Sequence, residues 1–505
     1  MAAPVQIDPR DAYNEELVGN VHPSDWQEPG PALRYNLVVI GAGTAGLVTA
    51  IGAAGLGARV ALVEQHLMGG DCLNVGCVPS KAIIRSSRAF AEITRAEHYG
   101  MRLSGEVTVD FERVMARMRR LRAKISRHDS ARRFRDLGVD VFFGEGRFVD
   151  REAVEVNGKT LRFKKAVIAT GTRAARPPIE GLDRTGHLTN ETLFSLTECP
   201  PKLAVLGAGP IGCEMGQAFR RLGSEVVLFH KHPRILNRED PDASELLQSI
   251  FVKEGVHLVL GSNPTRVYRE TGRKAIEYER NGVRDTVVVD EILVAAGRTP
   301  NVERLNLEAA GVDYDGKGIV VDDRLRTSNP NVYAAGDVAM RYRFTHAADA
   351  AARIVIQNAL FFGRKKVSAL TVPWCTYTEP EVAHVGLYEE DARRQGIEAA
   401  SFVRQLRDVD RAVTDGAEGG FVKVLVKKGS DKILGATIVA SDAGNMISEV
   451  TLAMVGKVGL GAVAGVIHPY PTTAEAIKQL GDAYNRTRLT PFVKKLFKAW
   501  LALTR

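Results

Sequence analysis

The stretch YNLVVIGAGTAGLVTAIGAAGLGARVALVE, residues 35–64, opens on a short apolar run, passes through a G-x-G-x-x-G turn into a small-residue helix, and closes on a second apolar run ending in an acid. An apolar run without alternation predicts a parallel strand buried on both faces. In the turn, the first glycine makes the tight bend, the second lets a pyrophosphate approach the backbone, and the third lets helix pack on strand. The phosphate then sits among free amides at a helix N-terminus. Gly41, Gly43 and Gly46 fill these places. One such turn could be merely structural, but the pattern returns in PKLAVLGAGPIGCEMGQAFRRLGSEVVLFH, residues 201–230, with Gly207, Gly209 and Gly212. Two copies in the same context predict an α/β fold with two dinucleotide-binding domains of Rossmann-like build.

The residue ending each second strand distinguishes the ligands. Glu64 follows its glycines by about 20 residues, where a carboxylate accepts ribose hydroxyls and repels a 2′-phosphate, so this site suits FAD. The second copy ends VVLFHKHPR, placing His230, Lys231 and Arg234 where NADH would require an acid. Basic groups there would pair with the 2′-phosphate of NADPH in preference to NADH; the alternative is a solvated basic loop.

Composition narrows the class. A chain of 505 residues with 45% hydrophobic and 25% charged residues is an ordinary globular protein. A prior of about 150 residues per domain suggests three or so. Five cysteines, few and odd in number, argue against a secreted disulfide framework and for a reducing compartment. With no signal peptide, transit peptide or spanning apolar run, the expected location is the cytoplasm. The charge is +8, and much of the excess lies in residues 111–136. That segment lacks interleaved aromatics for nucleic-acid binding; it reads as a long helix with Val114, Met118, Leu121 and Ile125 on one face and a solvated basic face opposite.

In GGDCLNVGCVPSK, residues 69–81, two cysteines stand four residues apart before a helix start. Gly76 lets the chain fold back, Pro79 suits a first helical turn, and a thiol just before a helix gains thiolate character from its amides. Two nucleotide sites and a close cysteine pair suggest a relay from nicotinamide to flavin to disulfide. A zinc site finds no second ligand pair at the right spacing, and no permanent metal is expected.

With CLNVGCVPSK, IATGTRAARP (168–177), VAAGRTPN (294–301), VYAAGDVA (332–339) and HPYPTTAE (468–475) in this order, the chain resembles the flavin-dependent pyridine nucleotide-disulfide oxidoreductases, the family of dihydrolipoamide dehydrogenase, glutathione reductase and mercuric reductase. The resemblance runs from Tyr35 to about Asp482. It implies that Cys77 lies against the flavin as a thiolate, while Cys72, nearer solvent, attacks substrate. Lys81 would sit by the flavin and pair with Glu214. Gly146, Asp337 and a helix beginning near His346 would serve FAD, and Gly171 and Gly297 would mark crossings between the flavin and nicotinamide domains. The implied organisation is a leader (1–34), a discontinuous FAD domain (35–182 and 297–367), an NAD(P) domain (183–296), an α+β dimerisation domain (368–484) and a basic amphipathic tail (485–505). The terminal motif would complete the partner's site in a homodimer.

One departure bears on the acceptor. Where thiol-disulfide members carry a histidine before the Pro-Thr pair, this chain has Tyr470; Glu475 remains, and His468 lies two residues earlier. A phenol is a poor base at neutral pH. The chain in this respect is similar to mercuric reductase, whose soft metal ion needs no such proton shuttle, yet it ends LALTR without that enzyme's terminal cysteine pair. His468 reads as a packed interface histidine or as a catalytic one, and Cys375 as a buried cysteine or a spare ligand. The expectation is an NADPH-dependent flavoenzyme that reduces a soft metal ion or small thiol-reactive oxidant through Cys72 and Cys77. A dihydrolipoamide dehydrogenase, or a flavoprotein recruited elsewhere by its tail, are the alternatives. In that tail Phe492, Leu496, Trp500 and Leu503 share a helical face, with docking on its own dimerisation domain preferred over a membrane.

Overall fold

Strand Tyr35–Ile40, helix Thr44–Gly55 and strand Val60–Glu64 realise the first motif, and the two strands pair in parallel with Leu37 opposite Val60. The computed structural model describes residues 5–505 and contains two compact units, residues up to 231 with 255–370, and residues 232–254 with 371–505. In the first unit a seven-stranded sheet runs Val139–Phe143, Val60–Glu64, Tyr35–Ile40, Lys159–Ile168, Ala153–Val156, Arg147–Asp150, with Val332–Ala334 also joined to Lys159–Ile168. Strands Val139–Phe143, Val60–Glu64 and Tyr35–Ile40 are parallel and nearly wholly buried, as their unalternating composition requires, whereas Ala153–Val156 pairs antiparallel with Lys159–Ile168.

The second motif repeats the arrangement on a four-stranded parallel sheet, His257–Leu260, Glu225–His230, Lys202–Leu206, Glu291–Val294. Even the backbone bonds at the turn recur: Gly41 N donates to Val63 O at 2.8 Å, and Gly207 N to Phe229 O at 2.9 Å. Gly171 and Gly297 lie at the start of two short strands, Thr172–Ala174 and Arg298–Pro300, that pair antiparallel.

The basic helix forms as Phe111–Ser126, but its buried face is Phe111, Met115, Met118, Arg119 and Arg122, and Ile125 is exposed. The expectation of a wholly solvated basic face is therefore corrected, and the reason is the leader. Residues Ala12–Val21 form a helix, capped by Asp11, that buries Leu17 and Val21 completely. Asp11 pairs with Arg119, Glu16 with Arg127 and Asp25 with Arg132. Arg122, 2% exposed, donates to Asn14 Oδ1 and to the carbonyl of Asn74, each at 2.7 Å. Burial, then the neighbouring Arg119, lowers its pKa to about 10. Because Asn74 ends the short helix that carries Cys72, and Met68 N donates to Val21 O at 3.2 Å, the leader supports the cysteine loop from both sides.

The second unit is built on a five-stranded antiparallel sheet, Pro373–Thr376, Glu381–Gly386, Ile433–Ala440, Phe421–Lys427, Ala399–Gln405, with helices Ala443–Val455 and Glu475–Thr487 buried against it. Segment 232–254 belongs to it: Lys423 reaches both Asp240 oxygens at 3.0 Å, and Trp374 Nε1 donates to Glu239 at 2.8 Å. The tail forms helix Pro491–Leu503, no residue of which is buried in the chain. Among the described residues no helix is long and apolar enough to cross a membrane.

Replacing Asn14 by Leu removes one partner of a buried guanidinium and should cost about 1–3 kcal/mol locally. Hydrogen exchange should accelerate across the leader helix and the Phe111–Ser126 helix. Glu16→Ala, at a largely exposed ion pair, should change exchange little.

Candidate active site

Cys72 lies in helix Gly70–Asn74, and Cys77 is the first residue of helix Cys77–Thr94. Between them the chain folds back so tightly at Gly76 that a Cβ there would stand 2.7 Å from the Asp71 carbonyl oxygen, so only glycine fits. Both thiols are free, with Cys77 Sγ 3.3 Å from Thr345 Oγ1. Within the chain alone, Cys72 is half-buried and Cys77 exposed.

The pair is electrostatically asymmetric. A hydrogen bond from Cys72, then Thr345 and the charge of Lys81, outweigh burial and pull the Cys77 thiol down. The same hydrogen bond, with burial, pushes Cys72 up. Lys81 lies one turn along the Cys77 helix and donates to Glu214 Oε2 at 2.7 Å, from helix Pro210–Arg221 of the second nucleotide motif. Glu214 is 6% exposed, and a carboxylate so desolvated needs its cation.

Two further groups escaped sequence reasoning. Thr345, at the start of helix Thr345–Leu360, carries no sequence signal beyond its place before His346. Arg298, the one charged residue of VAAGRTPN, bonds Asp71 beside Cys72, the Thr172 carbonyl at 2.7 Å and Asn190 Oδ1 at 3.2 Å. Its lone charge inside an apolar motif was a signal that could have been used. Asp337 accepts from Thr172 Oγ1 at 3.1 Å, and burial raises its pKa despite the positive charge of Arg298.

The nucleotide turns fit their ligands by an internal test. A Cβ on Gly46 would meet Gly41 O at 1.8 Å, and one on Gly212 would meet Gly207 O at 1.8 Å, so the third glycine of each copy is demanded by packing. The second glycine is not. A Cβ on Gly209 would meet nothing within 4 Å, and one on Gly43 only Gly70 Cα at 3.7 Å, which leaves the room an approaching pyrophosphate needs. Glu64, buried at the strand end, accepts from Ala42 N at 2.7 Å and from His66 N at 2.8 Å. Burial raises its pKa against those two bonds. His230 takes the equivalent place in the second copy, its Nδ1 3.3 Å from Ala208 N. Lys231 beside it is exposed, and Arg234, in the second unit, lies 3.7 Å from Glu245. Gly146 packs against Val63 and Ile40, and the His346 ring stacks on Phe344.

The terminal motif belongs to the second unit. His468 is pinned at both nitrogens, Nε2 to Glu449 Oε1 at 2.8 Å and Nδ1 to the Val466 carbonyl at 3.1 Å. Tyr470 is exposed, and its hydroxyl donates to Asp410 Oδ2 at 2.8 Å, a bond that raises the phenol's pKa. Glu475 is the first residue of its helix. Cys375 is half-buried, its Sγ near Glu381. Among the described residues no group of three or more His, Cys, Asp or Glu side chains could hold a metal ion.

The lowered Cys77 pKa means that its thiolate persists below the ordinary thiol range, near pH 8.5, and disappears only as pH falls through the lowered midpoint. In the dithiol protein, Lys81→Met should move that midpoint up, because a cation is lost and Glu214 is left facing the thiol. Glu214→Gln should move it down. Thiolate absorbance against pH checks both signs.

The chain matches the family model described as pyridine nucleotide-disulphide oxidoreductase over residues 35–352 and that family's dimerisation domain over 372–480. It is 36% identical over 445 residues to a mercuric reductase of Bacillus cereus, covering 88% of this chain and 70% of the relative. It is 34% identical over 468 residues to a dihydrolipoyl dehydrogenase of Thermus scotoductus, covering 90% and 98%. Among solved structures, the HOCl-induced flavoprotein disulfide reductase RclA from Escherichia coli superposes with TM-score 0.80 at 28% identity, covering 89% of this chain and 99% of that one. Members of this family are homodimeric enzymes using FAD and NAD(P)H. With two nucleotide turns, a close cysteine pair and the matched dimerisation domain, the chain belongs to the pyridine nucleotide-disulphide oxidoreductases.

Proposed function

We propose that this enzyme uses NADPH to reduce a soft metal ion such as Hg(II), or a small thiol-reactive oxidant, at Cys72 and Cys77. NADPH, when bound, would supply the two electrons each turnover consumes, and FAD would relay them. Gly41, Gly43, Gly46 and Glu64 would hold FAD, with Gly146, Gly171, Asp337 and His346 around it; Gly207, Gly209, Gly212, His230, Lys231 and Gly297 would serve NADPH. Opening the Cys72–Cys77 disulfide takes up two electrons and one proton and yields one thiolate, at Cys77, and one thiol, at Cys72. Lys81 holds the thiolate's charge, and Glu214 holds Lys81 in place. Two cysteine sulfurs on one short turn are soft donors that displace weaker thiol ligands from Hg(II).

The observation that carries this reading is the Tyr470 hydroxyl, hydrogen-bonded to Asp410 and pushed up in pKa, at the position where a dithiol substrate needs a base. Hg(II) needs none there. The mercuric reductase relatives add support. A second reading, dihydrolipoamide dehydrogenase, is favoured by the His468–Glu449 pair, which has the composition of an acid-base couple.

Anaerobic NADPH consumption separates them. Hg(II) presented as a thiol complex should drive turnover that Cys72→Ala abolishes, while lipoamide and glutathione disulfide should support little. Turnover with lipoamide, sensitive to His468→Gln, would establish the second reading instead. His230→Glu combined with Lys231→Ala should shift the NADPH to NADH preference by about 10- to 100-fold, the value of a single charge-assisted hydrogen bond. An unchanged preference would mean that these residues do not contact the 2′-phosphate.

A further inference from the structure

The tail lies beyond the part of the chain that matches the family, which ends at residue 480. Helix Glu475–Thr487 is anchored by Ile477 and Leu480; after it, Thr490 caps a new helix, Pro491–Leu503, with Pro491 at its start. At 100° per residue, Phe492, Leu496, Trp500 and Leu503 fall together, flanked by Phe497, and Lys494, Lys495 and Lys498 occupy the opposite sector. The chain itself leaves the aromatic and aliphatic side chains uncovered, Phe492 at 75%, Trp500 at 64% and Leu503 at 83% exposure. The expectation that this helix packs on its own dimerisation domain thus finds no buried contact within the chain.

Charge identifies the occupant of that face. After Asp482 the chain has Arg486, Arg488, Lys494, Lys495, Lys498 and Arg505, and no acid. A second copy of such a tail would repel it. An anionic surface with an apolar interior would satisfy both sectors at once. Thirteen residues make a rod of about 20 Å, too short for a hydrocarbon core of about 30 Å, so the helix must lie in the plane of a bilayer and not across it. We propose that the C-terminal helix Pro491–Leu503 is an in-plane membrane anchor, which seats its Phe492, Leu496, Trp500 and Leu503 face among the acyl chains of an anionic bilayer while its lysines meet the headgroups.

Sedimentation of the full-length holoenzyme with vesicles tests this. It should pellet with equal parts of phosphatidylglycerol and phosphatidylcholine and stay in solution with phosphatidylcholine alone. A chain ending at Thr490 should lose binding and keep its rate of NADPH oxidation. Each lysine neutralised should weaken binding about fivefold, so that Lys494→Gln, Lys495→Gln and Lys498→Gln together lose about 100-fold. Leu496→Asp with Trp500→Asp should abolish it with the charges of the lysines intact. Absence of binding to the anionic vesicles, or equal binding by the shortened chain, overturns the proposal. Dissociation of the dimer on shortening overturns it as well, by assigning the helix to the second copy.

Discussion

The contact between Lys81 and Glu214 ties together the two parts of the first unit on which any chemistry must rest. Lys81 sits on the helix that Cys77 begins, and Glu214 on the helix that follows the second glycine turn. Glu214 is almost completely withdrawn from water, and separating the two would take a nearby cation from a desolvated carboxylate. The pair therefore pins the cysteine helix to the nucleotide motif. It also sets the sign of the field at the cysteines, where the lysine charge favours the thiolate and the carboxylate opposes it.

Around this pin the fold repeats one solution twice. In each copy a glycine allows a helix to approach its strand closely, and another leaves open space at the helix N-terminus. The copies differ at the second strand's last residue, where a buried carboxylate and an imidazole meet equivalent backbone amides. The change of residue type falls at the one position of each copy where a ribose would be met.

The leader adds a layer outside the part of the chain that matches the family, which begins at residue 35. By placing Asn14 against Arg122, and Arg122 against the Asn74 carbonyl, it couples the N-terminal helix to the segment bearing Cys72. The two bonds satisfy both terminal nitrogens of the buried guanidinium, while its Nε is buried without a hydrogen-bond partner among the described residues.

By itself the sequence determined the parallel sheets, both nucleotide turns, the cysteine pair and the family, since these depend on local spacing: apolar runs of strand length, glycines at three fixed offsets, and two thiols on one turn. The Lys81–Glu214 pair was legible only through resemblance. Other features were decided by tertiary structure alone. Thr345 meets Cys77, Arg298 reaches Asp71, and Asn14 meets Arg122 across more than 100 residues of chain, and no local pattern encodes such encounters. The basic helix shows why: its 3.6-residue periodicity tells which residues share a face, but whether Arg119 and Arg122 face water depends on a distant segment that supplies their partners.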